Sequence, residues 1–268
     1  MKHLLIIFLC LALGSGCDQG STLKLRSGSL EMSIDVTTGG RIAAVQYEGV
    51  SFLKTKRDSQ NLQWGSTVWP APQSAWRWPP PARMDKGPYQ LIEKGKSKVV
   101  LRSPVNAYRE LQLEKAFEAV GTDTILVTYT FINLGTDTIR AGIWENARVA
   151  LRGAVTWQAS GSPADTVPGW ERIGQEVALE LGAHQKKHKL FIDAGAAWLR
   201  HALEGMILER AWAPFLPAEV APGQAAVEIY YDPFAKFAEL ELHGPYQSLA
   251  PGDRSEFKVY WTVRPQKP

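Results

Sequence analysis

Cysteine is nearly absent from this 268-residue chain: the two that occur, Cys10 and Cys17, both lie close to the start. No disulfide can staple the body of the protein, so its stability has to come from packing. Long hydrophobic runs are missing as well. The clearest, Leu4 to Leu13, is about half of the roughly twenty residues that a bilayer-spanning helix needs. Charge of one sign is not in excess: 30 Lys and Arg stand against 27 Asp and Glu, and a net charge of +3 gives no ground for a nucleic-acid partner. There is no HExxH zinc motif, no phosphate-binding glycine loop and no GxSxG nucleophile elbow. His184 and His188 have a zinc-like spacing, but Lys186, Lys187 and Lys189 around them repel a cation. No metal site and no cofactor is expected.

What is present begins with an address. Lys2 and His3 precede the apolar run, and Gly14, Ser15 and Gly16 lead into Cys17, a secretory pattern that resembles the bacterial lipobox. The expectation is a signal peptide over 1–16, a lipid on Cys17, and a short polar tether over 17–21. Several acyl chains on one cysteine hold a protein stably to a membrane. This places the chain in the bacterial cell envelope, periplasmic or at the cell surface, with a single domain over 22–268.

The body reads as strands. Apolar and polar residues alternate with period two in Leu30–Asp35, Ile42–Tyr47, Lys98–Arg102, Thr124–Phe131, Val227–Tyr231, Ala238–His243 and Phe257–Val263. Gly, Asp and Pro separate them, as in Thr38-Gly39-Gly40, Gly121-Thr122-Asp123 and Pro251-Gly252-Asp253. Asp193–Trp212 fits either a helical stripe or two strands around Gly205, and Gly195 and Gly205 favour the strands. The basic runs Lys94–Lys98 and Lys186–Lys189 read as caps on exposed hairpins. Gln60–Tyr89 differs in texture. Its six prolines exclude a helix and a central strand and predict a long structured loop, which four of the ten tryptophans keep ordered.

Three segments carry a family resemblance: GGRIAAVQYEGVSFL, WGSTVWPAPQSAWRWPPP and LELHGPYQSLAPGDRSEFKVYWTV. They resemble an uncharacterised bacterial lipoprotein family, a DUF4380-like domain of unknown function related to the galactose mutarotase-like fold. The resemblance implies an all-β supersandwich of two large antiparallel sheets, one of whose faces can hold a sugar. Aldose epimerases open and reclose a pyranose ring with a base and an acid, commonly a carboxylate opposite a histidine. In true mutarotases an Asn-His pair supplies the acid shortly after a strand like ILVTYTFINL. Here that place reads GIWENARVAL, with Trp144, Glu145 and Asn146 and no histidine, so the usual acid does not carry over.

The candidate site residues follow. Glu145, Glu241 and His243 are the candidate acid and base groups; alternation puts Glu239, Glu241 and His243 on one side of their strand and Leu240 and Leu242 on the other. A flat aromatic ring covers the C–H face of a pyranose while neighbouring polar groups bond its hydroxyls. Trp69, Trp76 and Trp144 are the candidate stacking rings and Gln73 and Asn146 the candidate polar ligands, with Arg77, Arg83 and Asp85 nearby. Trp64 and Trp78 are expected to be structural, and His201 to be a satisfied core histidine. The expectation is a membrane-anchored, carbohydrate-recognising protein, epimerase-like if it is an enzyme. The alternative is a structural envelope lipoprotein that binds a protein partner through its aromatic patch.

Overall fold

The structure is a computed structural model that describes residues 22–59, 63–106, 108–158, 169–183, 186–192 and 197–266. The signal segment, the tether with Cys17, and His184 lie outside the described residues. Among the described residues the strands are, in chain order, β1 Thr22–Ser27, β2 Leu30–Asp35, β3 Arg41–Tyr47, β4 Val50–Ser51, β5 Ser66–Ala71, β6 Gln90–Lys94, β7 Lys98–Arg102, β8 Leu111–Gly121, β9 Thr124–Asn133, β10 Ile139–Val149, β11 Ala154–Gln158, β12 Trp170–Ile173, β13 Glu176–Glu180, β14 His188–Ile192, β15 Trp198–Leu203, β16 Met206–Trp212, β17 Val227–Asp232, β18 Phe237–His243, β19 Gln247–Leu249 and β20 Arg254–Pro265.

They form two large sheets. The first runs β1-β2-β3-β5-β10-β18-β17-β14, with β4 beside β3 and β19 beside β10; the second runs β12-β13-β11-β15-β16-β20-β9-β8-β7-β6. Their ladders are antiparallel. The two sheets bury their facing sides in one core. Val45, Val68, Ala147, Leu240 and Leu242 come from the first sheet, and Leu113, Phe117, Val127, Val259 and Trp261 from the second. Burying one such aliphatic or aromatic side chain stabilises by roughly 1.5–3 kcal/mol, which is why the apolar half of each alternation turns inward. Leucines 240 and 242 do so, and Glu239, Glu241 and His243 are left on the outer face of the first sheet.

All seven segments read from alternation are strands, most of them a residue or two longer at one end. Residues 193–196 lie outside the described residues, and the rest of Asp193–Trp212 holds β15 and β16, closed by the two-residue turn Glu204-Gly205, both at positive φ. That is the backbone a tight hairpin demands.

The proline-rich segment corrects the expectation of a loop. Ser66–Ala71 is a strand within the first sheet, and Ala82–Asp85 is a short helix, α1. Pro70 is tolerated because β3 meets β5 only at Ile42 and Ser66, leaving the rest of that edge without a ladder partner. The Pro70 carbonyl accepts from Trp76 Nε1 at 2.8 Å, so this residue turns its polar edge away from β10 and no amide is missed. Pro81 stands just before α1, where a fixed φ and a missing N–H cost nothing.

Candidate functional site

Cross-strand register arranges the outer face of the first sheet in rows. Trp69, Trp144 and His243 form one row across β5, β10 and β18; Thr67, Asn146, Glu241 and Glu228 form the next, reaching β17. Arg148, Glu239, Tyr230 and Lys189 form a third, which ends on β14. Above these rows lies a cleft of about 680 Å³, walled by Trp78, Pro79 and Pro80 on one side and by Lys187 and Asp232 on the other. Its volume falls in the roughly 300–1,000 Å³ range of small-ligand sites.

The aromatic part is rigid. Trp69 meets Trp144 edge to face at 5.0 Å between centroids, and Trp78 stands perpendicular to Trp69 at 5.8 Å. His243 stacks on Trp144 at 5.3 Å. Asp85, at the end of α1, accepts from Trp69 Nε1 at 2.9 Å, Arg41 Nη2 at 3.1 Å and Thr67 Oγ1 at 3.2 Å, so the helix that follows the prolines fixes the ring. Gly39 makes room for it: the residue has φ +69°, and a Cβ there would lie 2.2 Å from the Asp85 carbonyl oxygen.

The charged part is paired. Arg148 Nε donates to Glu239 at 2.9 Å while its guanidinium lies over Trp69. Lys187 pairs with Asp232 at 2.7 Å. Lys189 Nζ lies 2.5 Å from Glu228 and 3.0 Å from Glu241, and Trp144 Nε1 donates to Glu241 at 2.7 Å. Burial raises Glu241 well above the ordinary carboxylate range, with Glu239 and Glu228 adding to it and Lys189 opposing. Desolvation pushes Glu228 the same way, yet the His243 ring and the Lys189 ammonium outweigh it and pull that carboxyl down to about 2. Burial likewise lowers His243, Glu228 opposing, so the ring is neutral at physiological pH. The two carboxyls are thus driven apart, Glu241 toward its protonated form and Glu228 toward its ionised one.

Among the described residues, donor atoms of Glu228, Glu241 and His243 lie within 4.8 Å of one another, a group that could hold a metal ion. The Lys189 ammonium stands against both carboxylates and supplies the positive charge there. The sequence reading had not gathered this trio.

The candidates distribute unevenly. Trp69, Gln73, Trp144 and Glu241 line the cleft. Asn146 sits in the floor beneath it, fully buried, with neither side-chain polar atom hydrogen-bonded. His243 is buried behind Trp144 and does not line the cleft. Glu145 is on the opposite side of β10. It accepts from Tyr129 at 2.6 Å and lies 3.4 Å from Arg210, both on the second sheet, and burial raises its carboxyl. Consecutive residues of a strand face opposite ways, so Glu145 is an inter-sheet group and not an acid at the cleft. Trp76 packs behind Trp69 and Trp144, and Trp78, 66% exposed, takes its place at the mouth. Trp64 is buried under Arg41, as expected of a structural ring. Arg83 turns away to the Val105 carbonyl. His201 is buried, its Nε2 2.9 Å from the Arg152 carbonyl oxygen.

Arg148, Lys189 and Glu228 escaped the sequence reading. Lys189 belongs to a basic run that was expected to cap a hairpin; half-buried on β14, it reaches into the site instead. Alternation in VEIYYD would have set Glu228 on the face of Tyr230 and Asp232.

Solved structures share this arrangement of sheets. A galactose mutarotase-like protein from Lactobacillus casei matches with a TM-score of 0.65 at 12% identity, over 91% of this chain and 100% of its own. Another from Clostridium acetobutylicum matches with a TM-score of 0.63 at 10% identity, over 91% and 95%. The fold is galactose mutarotase-like. An aldose epimerase homologue from C. elegans has the same galactose mutarotase-like fold, with a TM-score of 0.59 and 11% identity over 92% of this chain and 99% of its own. Residues 172–264 match the model of a family described as a domain of unknown function, DUF4380. No curated protein matches the chain in sequence. At such identities the likeness is one of fold, and a fold does not carry an activity by itself.

Proposed function

We propose that the cleft on the first sheet binds a carbohydrate. One observation carries the reading: Trp78, 66% exposed, presents an open ring at the mouth of the cleft above the buried Trp69 and Trp144, while Arg148–Glu239 and Lys187–Asp232 bring paired donors and acceptors to its sides. Aromatic faces beside fixed polar groups are what an amphipathic sugar ring needs. Membrane attachment through a lipid on Cys17 belongs to the same proposal, and brings the cleft to glycans of the cell envelope. Titrating the intrinsic tryptophan fluorescence of the purified protein with mono- and oligosaccharides tests the binding. A saturable shift with one sugar class is expected; a flat response from folded protein across the panel overturns it. Cys17→Ser should move the protein from the membrane to the soluble fraction, and unchanged fractionation contradicts the anchor.

A second reading, proton transfer on the bound sugar, is favoured by one feature. Glu241 and Glu228 have their pKa values driven apart in a single cluster, as acid and base assignments require. Polarimetry on freshly dissolved α-anomers decides it: catalysed mutarotation that Glu241→Gln abolishes supports turnover, and a rate equal to buffer removes it for those sugars.

A further inference from the structure

We infer that the ligand of the cleft is a neutral oligosaccharide, longer than one sugar ring and free of carboxylate or phosphate. The inference rests on the carbohydrate reading above and adds the charge and the length of the ligand.

The charge follows from the pairing. Each buried or half-buried cation at the cleft already faces a carboxylate: Arg148 with Glu239 at 2.9 Å, Lys189 with Glu228 at 2.5 Å, and Arg41 beneath the floor with Asp85 at 3.1 Å. The more exposed Lys187 is bound to Asp232, whose side chain is buried. Among the described lining residues Lys86 adds one further cation, exposed at the rim. Below the rim, an anionic sugar would have to break one of these pairs and leave its carboxylate without a partner in a partly desolvated place, which costs more than the new contact returns. A neutral sugar has no such conflict. Its hydroxyls both donate and accept, and an ion pair offers both a donor and an acceptor at its edges.

The length follows from the aromatic surfaces and the volume. Trp69 and Trp144 lie in the floor, 3% and 2% exposed, whereas Trp78 rises from the wall perpendicular to Trp69 with 66% of its surface open. A pyranose stacked on the open Trp78 face at the mouth leaves the ion-paired depth of the cleft free for the next ring. The cleft holds about 680 Å³. A hexose has only about twelve non-hydrogen atoms, about half those of the drug-sized ligands that fill such pockets.

The test uses the full protein in detergent and one binding assay on three sets of probes. The neutral monosaccharides are glucose, galactose, mannose and N-acetylglucosamine; the second set is their linked trimers; the third is glucuronic acid and glucose 6-phosphate. At least one neutral trimer should bind about tenfold or more tightly than its own monomer, and both charged sugars should bind more weakly than glucose. Trp78→Ala should weaken the trimer about tenfold or more, and because the ring is exposed the variant should stay folded. A charged sugar as the tightest ligand, or a trimer no tighter than its monomer, overturns the inference and leaves carbohydrate binding standing. Failure of every probe to bind overturns both.

Discussion

Trp144 donates its indole N–H to Glu241 Oε2 at 2.7 Å, so the ring that forms the cleft floor and the carboxyl beside it are held by one bond. Glu228 lies on the neighbouring strand, opposite Glu241 in register, and Lys189 bridges the two. Aromatic positioning and proton distribution are therefore one structure.

That link makes the two glutamates respond differently to the same substitution. Glu241 is raised above its unfolded value, so it costs stability as pH rises through its window, and Gln imitates its protonated form. Glu228 is lowered to about 2 from 4.5, so it contributes stability above about pH 4.5 that is lost as pH falls toward 2. Glu241→Gln should not lower stability at pH 7, since it removes the proton uptake that folding demands of Glu241, and Glu228→Gln should cost roughly 2–4 kcal/mol, because Lys189 and Ala225 N–H lose a charged acceptor. Denaturant melts at pH 7 and pH 4 check both. Equal losses in the two variants would contradict the proton assignment.

His201 gives an acid limit of its own. Burial lowers its pKa from 6.5 to about 4, so the unfolded chain takes up this proton first. The stability that the neutral ring preserves is complete above about pH 6.5 and lost as pH falls toward 4, by about 3 kcal/mol. A His201→Gln variant should lose less stability than the parent between pH 7 and pH 4, read from urea midpoints.

Gly39→Ala should disturb the floor from a distance. A Cβ there would be placed 2.2 Å from the Asp85 carbonyl, on a residue at φ +69°, so α1 must shift and Asp85 must release Trp69. A loss of more than about 2 kcal/mol is expected, with a change in the tryptophan emission. Gly49, with open space around its Cβ position, shares the positive φ without the contact, and Gly49→Ala is the control that should cost less.

Much of this was legible in the residues. Period-two alternation fixed seven strands, and it set Glu239, Glu241 and His243 apart from Leu240 and Leu242 before any register was known. The same rule, applied to Trp144, Glu145 and Asn146, separates the middle residue from its neighbours; grouping them by adjacency put Glu145 at the cleft, when Tyr129 and Arg210 hold it between the sheets. Pairing between distant strands was not legible. Lys189 reaches Glu241 across β17, a relation set by register and not by spacing in the chain. The prolines misled because their effect depends on which strand edge they face, and β5 presents Pro70 to an edge with no ladder to fill.

The central claim is that the cleft above the Trp69–Trp144 floor receives a sugar, with the apolar face of a pyranose on the open Trp78 ring. Saturation-transfer NMR of the purified protein with a mixture of neutral oligosaccharides tests it directly, with the aromatic protons irradiated. The account predicts strong transfer to the C–H protons along one face of a pyranose, competed away by excess of the same glycan. Absence of transfer to every glycan from folded protein, or transfer unchanged under competition, would contradict it.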